Sequence, residues 1–293
     1  MMKVELGHLE ALLAVVDEGS FDGAAAVLRV SPSAISQRIK SLETAAGQVL
    51  IQRTKPARPT PAGIPYVQAG RQIDAVLSQT LGQTDLVSTG PPDIPLAVNS
   101  DSLETWIIPA LASIRDTANF HILRDDQDHT AEMLRTGTVL AAVTSVADPI
   151  QGCESYRLGV MRYLPVATPA FAARWFPRGL TPAALEKAPT VVFDRKDKLQ
   201  HLLLQAHGVD PDAPSRCYVP SSYSFVHAIE QDMGWGLAPE IQIEDALETG
   251  ELIHLSEHFD ITLYWQQWKL ESPALNTLRQ AIQDAAAYAL RIK

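Results

Sequence analysis

The stretch Ser31-Pro32-Ser33-Ala34-Ile35-Ser36-Gln37-Arg38-Ile39-Lys40, continued by Ser41-Leu42-Glu43-Thr44, decides the N-terminal fold. Ser31 before Pro32 is a helix start. The serine hydroxyl accepts from an orphan N–H of the first turn, and proline at the first helical position lacks an N–H that would have had no partner. Ile35, Ile39 and Leu42 recur at i, i+4 and i+7 and share the buried face. Ser33, Ser36, Gln37 and Lys40 fall on the opposite side, with Arg38 at its flank. That outer face has hydrogen-bonding and basic side chains and no acid. It suits a major groove, where Ser, Gln and Arg read base edges and Lys holds phosphate. A merely solvated helix more often carries mixed charges.

Upstream, Ser20-Phe21-Asp22-Gly23-Ala24-Ala25-Ala26-Val27-Leu28 starts another helix, with Ser20 as its cap and Asp22 at its positive end. It stops around Arg29-Val30, and two short helices joined by a short turn make a helix-turn-helix. Downstream, Gly47 reads as a turn and Gln48 to Arg53 as a strand. Lys55-Pro56-Ala57-Arg58-Pro59-Thr60 reads as a basic, proline-stiffened hairpin tip. This is a wing whose Arg53, Lys55 and Arg58 can reach phosphate or a minor groove. The candidate DNA contacts are therefore Ser31, Pro32, Ser33, Ser36, Gln37, Arg38, Lys40, Arg53, Lys55 and Arg58.

Charge supports the assignment only when it is read locally. The formal net charge of −10 argues against nucleic acid, but residues 26–60 hold six bases and one acid. A basic end on an acidic body is expected when one small module meets phosphate. The length of 293 residues suits two or three compact units, and 46% hydrophobic residues allow a sizeable core. Cys153 and Cys217 cannot build a disulfide framework and fit a reducing cytoplasm. No apolar run approaches a membrane span, and the first residues lack the pattern of a signal peptide.

Thr60-Pro61 repeats the cap-then-proline signal, so a long helix should begin there and run to about Val87. Tyr66, Ala69, Ile73 and Val76 are spaced as a coiled-coil seam, with Leu77 and Leu81 beside it. Pairing with the same helix of a second copy is the simple way to cover it. Residues 89–93 form a linker, and the rest alternates strands and helices in two sets, which means α/β layers with mainly parallel sheets. In such folds ligands bind beyond the carboxyl ends of strands. Those ends hold Asn99-Ser100-Asp101-Ser102, Thr144-Ser145 and Ser221-Ser222, with Asp126 and Asp194 at two others. Hydroxyls and helix-start N–H groups favour a carboxylate, and the acids favour a cation. An amino acid offers both. The bland reading is that these acids cap surface helices.

Gly19-Ser20-Phe21, Ala24-Ala25, residues 31–40 and Leu42-Glu43 closely resemble the helix-turn-helix of LysR-type transcriptional regulators. The resemblance covers the whole chain. Asn99 to Trp106, Phe193-Asp194, Gly250-Glu251-Leu252 and Tyr264-Trp265 are similar to the LysG/ArgP group, regulators of lysine and arginine export. The resemblance implies a multidomain α/β protein. Its parts are a winged helix-turn-helix at 1–60, a linker and dimerisation helix at 61–89, and a two-lobed effector-binding domain of periplasmic-binding-protein type at 93–293. Lobe I would take about 93–164 and 267–293, and lobe II about 165–266. It also implies a cytoplasmic homodimer or homotetramer on an interrupted palindrome of double-stranded DNA, an activator acting with RNA polymerase. The effector, lysine or arginine, would lie between the lobes with Ser102 and Thr144 among its contacts. One departure is Ile51-Gln52, where the family has leucine-phenylalanine before the wing arginine.

Other classes fit less well. None of the eight histidines forms a catalytic spacing, and no glycine-rich phosphate loop is present, so neither an enzyme nor a cofactor is expected. His254 and His258 lack a third metal ligand, and Gly234-Trp235-Gly236 reads as a turn lining the cleft. A transport solute-binding protein would not need a basic helix-turn-helix. A LysR-type regulator answering another metabolite, or an effector-independent DNA-binding protein, remains as an alternative.

Overall fold

Capping chemistry sets the boundaries of the N-terminal module. The computed structural model describes residues 4–82, 91–124 and 127–292. Helix α1 spans Leu6–Glu18, α2 Phe21–Val27 and α3 Pro32–Ala46. The Ser20 hydroxyl accepts from the Gly23 N–H at 3.0 Å, and the Ser31 hydroxyl accepts from the Ala34 N–H at 3.2 Å. Gly19 and Gly47 close α1 and α3 in the left-handed region. Strand β1 (Ile51–Gln52) pairs antiparallel with β2 (Arg58–Pro59), which makes the wing. Its register sets Ile51 against Pro59 and buries Ile51 to 2% exposure, while Gln52 faces solvent. The departure at Ile51-Gln52 thus leaves the wing anchored through its isoleucine. Ile35, Ile39 and Leu42 of α3 lie in the core, as their spacing predicts, packed with Leu12 and Val15 of α1 and Ala24 of α2.

Helix α4 spans Ile64–Gly82. It begins three residues later than the Thr60-Pro61 signal suggests, because Thr60 turns the chain first: its hydroxyl accepts from the Gly63 N–H at 3.0 Å. The expected continuation to Val87 lies outside the described residues.

The body follows in chain order. Strand β3 is Asp93–Val98, and α5 (Ser100–Ser102) runs through a π-helical turn, Leu103–Ile107, into α6 (Ile108–Ser113). Then come β4 (Asn119–Arg124), α7 (Gln127–Thr136), β5 (Ala141–Thr144) and the long β6 (Cys153–Ala167). Helices α8 (Pro169–Trp175) and α9 (Pro182–Leu185) precede β7 (Thr190–Val192), α10 (Leu199–Ala206) and β8 (Arg216–Tyr218). The chain continues with α11 (Ser222–Glu230), β9 (Gly236–Pro239), α12 (Glu240–Thr249) and β10 (Ile253–His254). It ends with β11 (Phe259–Trp268) and α13 (Pro273–Ala289).

Contacts divide the chain into two units, one of residues 1–98, 114–156 and 265–280, the other of 99–113, 157–264 and 281–293. In the first, β3 lies parallel to β4, with Val98 opposite Arg124, and parallel to β5, with Ala97 opposite Ala142. These are the expected βαβ connections. In the second, β7 and β8 are parallel, but β6 pairs antiparallel with β9 and with β10. The expectation of mainly parallel pairing therefore fails there. Gly234-Trp235-Gly236 is core rather than a lining turn. Trp235 is fully buried, and a Cβ on Gly236 would meet Phe225 Cζ at 2.8 Å.

Candidate DNA interface and effector site

The outward face of α3 carries Ser33, Gln37 and Lys40 in the open, with Ser36 and Arg38 half-exposed. Ser31 and Pro32 are exposed at its start, but the Ser31 hydroxyl caps the helix and lies 2.8 Å from the Ser33 hydroxyl. The only acid of the basic stretch is turned inward. Glu43 Oε1 accepts from the Leu50 N–H at 2.9 Å and the Ile51 N–H at 3.3 Å, tying the foot of the wing to α3. It therefore leaves the basic face unopposed. Arg53, Lys55 and Arg58 are all exposed on the wing. Arg53 also sits 4.9 Å from the centre of the Phe21 ring, a cation–π contact that aims it from α2. Phe21 was not among the residues predicted for the site; the aromatic at the first position of α2 was the available signal.

In the second unit, the start of α5 gathers unpaired polar atoms. Ser100 is 3% exposed and Ser102 is fully buried. Their hydroxyls, Asn99 Oδ1 and Trp106 Nε1 find no hydrogen-bond partner among the described residues. An unmet buried polar group costs about 1–3 kcal/mol, so such a cluster marks a place for a polar ligand or water. Asp101, between the two serines, is already engaged. One carboxylate oxygen accepts from the Ser222 hydroxyl at 2.6 Å and the other from the Tyr163 hydroxyl at 2.7 Å. Ser222 also lies 2.8 Å from Gln242 Oε1. Burial pushes the Asp101 carboxyl above its ordinary range; the two hydroxyls pull it down, and Glu104 adds to the upward push.

Asp194 uses one oxygen to accept from the N–H groups of Lys196 (2.6 Å) and Asp197 (2.9 Å), an Asx turn. Asp197 accepts from the Leu199 and Phe193 N–H groups. Its carboxyl is raised, first by burial and then by the fields of Asp101 and Asp194, against the pull of those two amides. Three carboxylates are thus electrostatically joined here. Ser221 caps α11 through a 3.4 Å contact with the Ser224 N–H. Asp197, Tyr163 and Gln242 are the members that the sequence reading missed. Of the remaining candidates, Thr144 and Ser145 belong to the first unit, where Thr144 is buried and its hydroxyl accepts from the Val146 N–H at 3.2 Å. Asp126 lies outside the described residues.

Comparison with known proteins agrees along the chain. Residues 6–64 match the bacterial regulatory helix-turn-helix proteins of the LysR family, and residues 94–287 match the LysR substrate-binding domain. The lysine export transcriptional regulatory protein LysG of Corynebacterium efficiens is 43% identical, with 97% of this chain and 98% of that protein covered. The crystal structure of ArgP from Mycobacterium tuberculosis is 39% identical and superposes with a TM-score of 0.89 over 99% of this chain and 100% of that one. Full-length LysG of Corynebacterium glutamicum, solved with the effector arginine bound, is 38% identical, with a TM-score of 0.79 and 98% and 100% coverage. A basic helix face, an anchored wing and an α/β body with a cluster of unmet polar atoms are what such a protein requires. The chain belongs to the LysR family and is a DNA-binding transcriptional regulator governed by an effector, not an enzyme.

Proposed function

We propose that the effector is a basic amino acid, arginine or lysine, and that the protein activates genes for its export. The observation that carries this is the arginine bound to the 38% identical regulator of C. glutamicum. The chemistry of the second unit supports it. The unpaired hydroxyls of Ser100 and Ser102 and the Asn99 side chain suit the carboxylate and ammonium of an amino acid. The coupled acids Asp101, Asp194 and Asp197 supply negative potential for a cationic end. On this reading Asp194, which keeps an oxygen unassigned to its turn, faces the ligand, and Asp101 holds the wall by fastening Tyr163 and Ser222. Calorimetry with arginine, lysine and norleucine tests it. Arginine or lysine should bind at least tenfold more tightly than norleucine, and Asp194→Asn should narrow that gap. Equal binding of norleucine would defeat charge recognition and leave the regulator intact.

The functional division is read as a DNA-binding module at 1–60, a linker helix at 61–89 and an effector domain from 93 onward. The apolar side chains of Ile73 and Leu77 on α4, 39% and 37% exposed, support pairing of this helix with that of a second copy. A dimer or tetramer on a two-part operator follows from that pairing; the proposal further places the protein in the cytoplasm, acting with RNA polymerase. Among the described residues no helix is long and apolar enough to cross a membrane.

A further inference from the structure

The DNA-binding module and the segment leading to Thr144 meet through a few side chains of α4. Arg71 Nε donates to the carbonyl of Gly137 at 3.2 Å, and its guanidinium pairs with the Asp17 carboxylate near the end of α1. One turn earlier, Gln68 Nε2 donates to the Arg135 carbonyl at 3.2 Å. The Arg135 carbonyl in the last turn of α7 and the Gly137 carbonyl just beyond it thus accept from side chains of α4. Gly137 is held in the left-handed region at φ 71°. A Cβ there would stand 3.1 Å from both the Trp268 ring and Val67 Cγ1. Val67 is a fully buried member of the DNA-binding core, and Trp268 Nε1 donates to the Leu134 carbonyl at 2.9 Å. The junction is therefore polar on one side and close-packed on the other. Beyond Gly137 the chain enters β5 and ends it at Thr144.

We infer that Arg71 is a positioning residue for regulation: it ties α1 of the DNA-binding module to the α7–β5 turn, so that a shift of that turn re-aims the module on DNA. This rests on the effector reading above for its trigger, but not for its geometry. The Arg71 side chain, 15% exposed, is held at both ends by Asp17 and a backbone carbonyl, so displacement of either end must move or break a contact. Coupling between sites is reciprocal in free energy, so operator binding must also be felt at Gly137.

The test uses full-length protein with Arg71→Gln and, separately, Asp17→Asn. Operator binding is titrated with and without arginine, and arginine binding is followed by calorimetry. Expected are an arginine Kd within about twofold of the parent and at least a fivefold loss of the arginine-dependent change in operator affinity, at the lower end of usual allosteric couplings. A full arginine response in both variants would overturn the inference. If the parent binds no arginine, the effector reading fails on its own. The junction is then judged by amide exchange at 134–144 with and without operator. The parent should show altered exchange there on DNA binding, and Arg71→Gln should abolish it. No change in the parent, or the same change in the variant, overturns the inference. Gly137→Ala, which wedges the packed side while keeping Arg71, should reduce the same response.

Discussion

Asp101 stands between two uses of one carboxylate. Its burial disfavours the charge, while Ser222 and Tyr163 favour it, and burial wins. A carboxyl raised in the folded state above its ordinary 3.8 contributes stability that is full below that value. That contribution is lost as pH rises through the raised folded value. The parent should therefore lose stability relative to Asp101→Asn as the pH rises from about 4 through the raised folded value. Urea unfolding of both proteins across that range measures it, and a flat difference would show that Asp101 titrates as it does in the unfolded chain. Asp260 has the opposite sign. The hydrogen bond from Arg162 holds it below its ordinary range, so its contribution is present near neutrality and lost in acid. Glu43 offers a simpler case. Glu43→Ala would leave the Leu50 and Ile51 N–H groups without their acceptor, at a cost of about 1–3 kcal/mol. Thermal melting should fall and the wing should loosen, weakening DNA binding without changing operator preference. Cys153, whose thiol burial pushes up to about 12, should resist alkylation in the native protein, while half-exposed Cys217 takes the label.

Elements differ in how far local sequence determines them. Helices α2 and α3 of the DNA-binding module were legible because their signals are local: Ser20 and Ser31 caps, Pro32, and the spacing of Ile35, Ile39 and Leu42. Strand β6 was not. Its second half, from Gly159 to Ala167, is buried on both faces but for Arg162, so no alternation marks it, and Pro165 argues against a strand. The helix start at Ser100 is not marked in the sequence, because serines beside an aspartate look like loop there. Their burial with unmet hydroxyls is what makes them candidates for a site, and that is visible only in three dimensions. Asp197 was hidden for the same reason: Asp194 lies three residues before it, but Asp101 reaches it from distant sequence. The α4 seam is the element-scale prediction. Ile73→Asp puts a charge where a partner helix should lie, and an unpaired buried charge costs several kcal/mol. Sedimentation should show smaller species and weaker operator binding. An unchanged profile would place the subunit contact elsewhere.

At the scale of the whole molecule, a chain of net charge −10 presents a module with six bases and one acid between residues 26 and 60. Only that end can release counterions from DNA, and the acidic remainder opposes indiscriminate binding. The two kinds of contact should separate in one experiment. Lys40, Arg53 and Lys55 are exposed and suited to phosphate or a minor groove, so replacing any one by alanine should weaken all sequences alike and flatten the log–log salt slope by about 0.9. Gln37 and Arg38 lie on the reading face of α3, so their loss should cost about 1–3 kcal/mol at one base position and little elsewhere. Titrations of operator variants at several salt concentrations distinguish the classes. If Gln37→Ala and Arg38→Ala discriminate among operators as the parent does, α3 does not read the groove in the way its two faces imply. If Lys55→Ala leaves the slope unchanged while Gln37→Ala flattens it, the wing and the helix have exchanged roles. Either result would move the source of specificity from side-chain contacts at base edges to the shape of the DNA that the paired modules require.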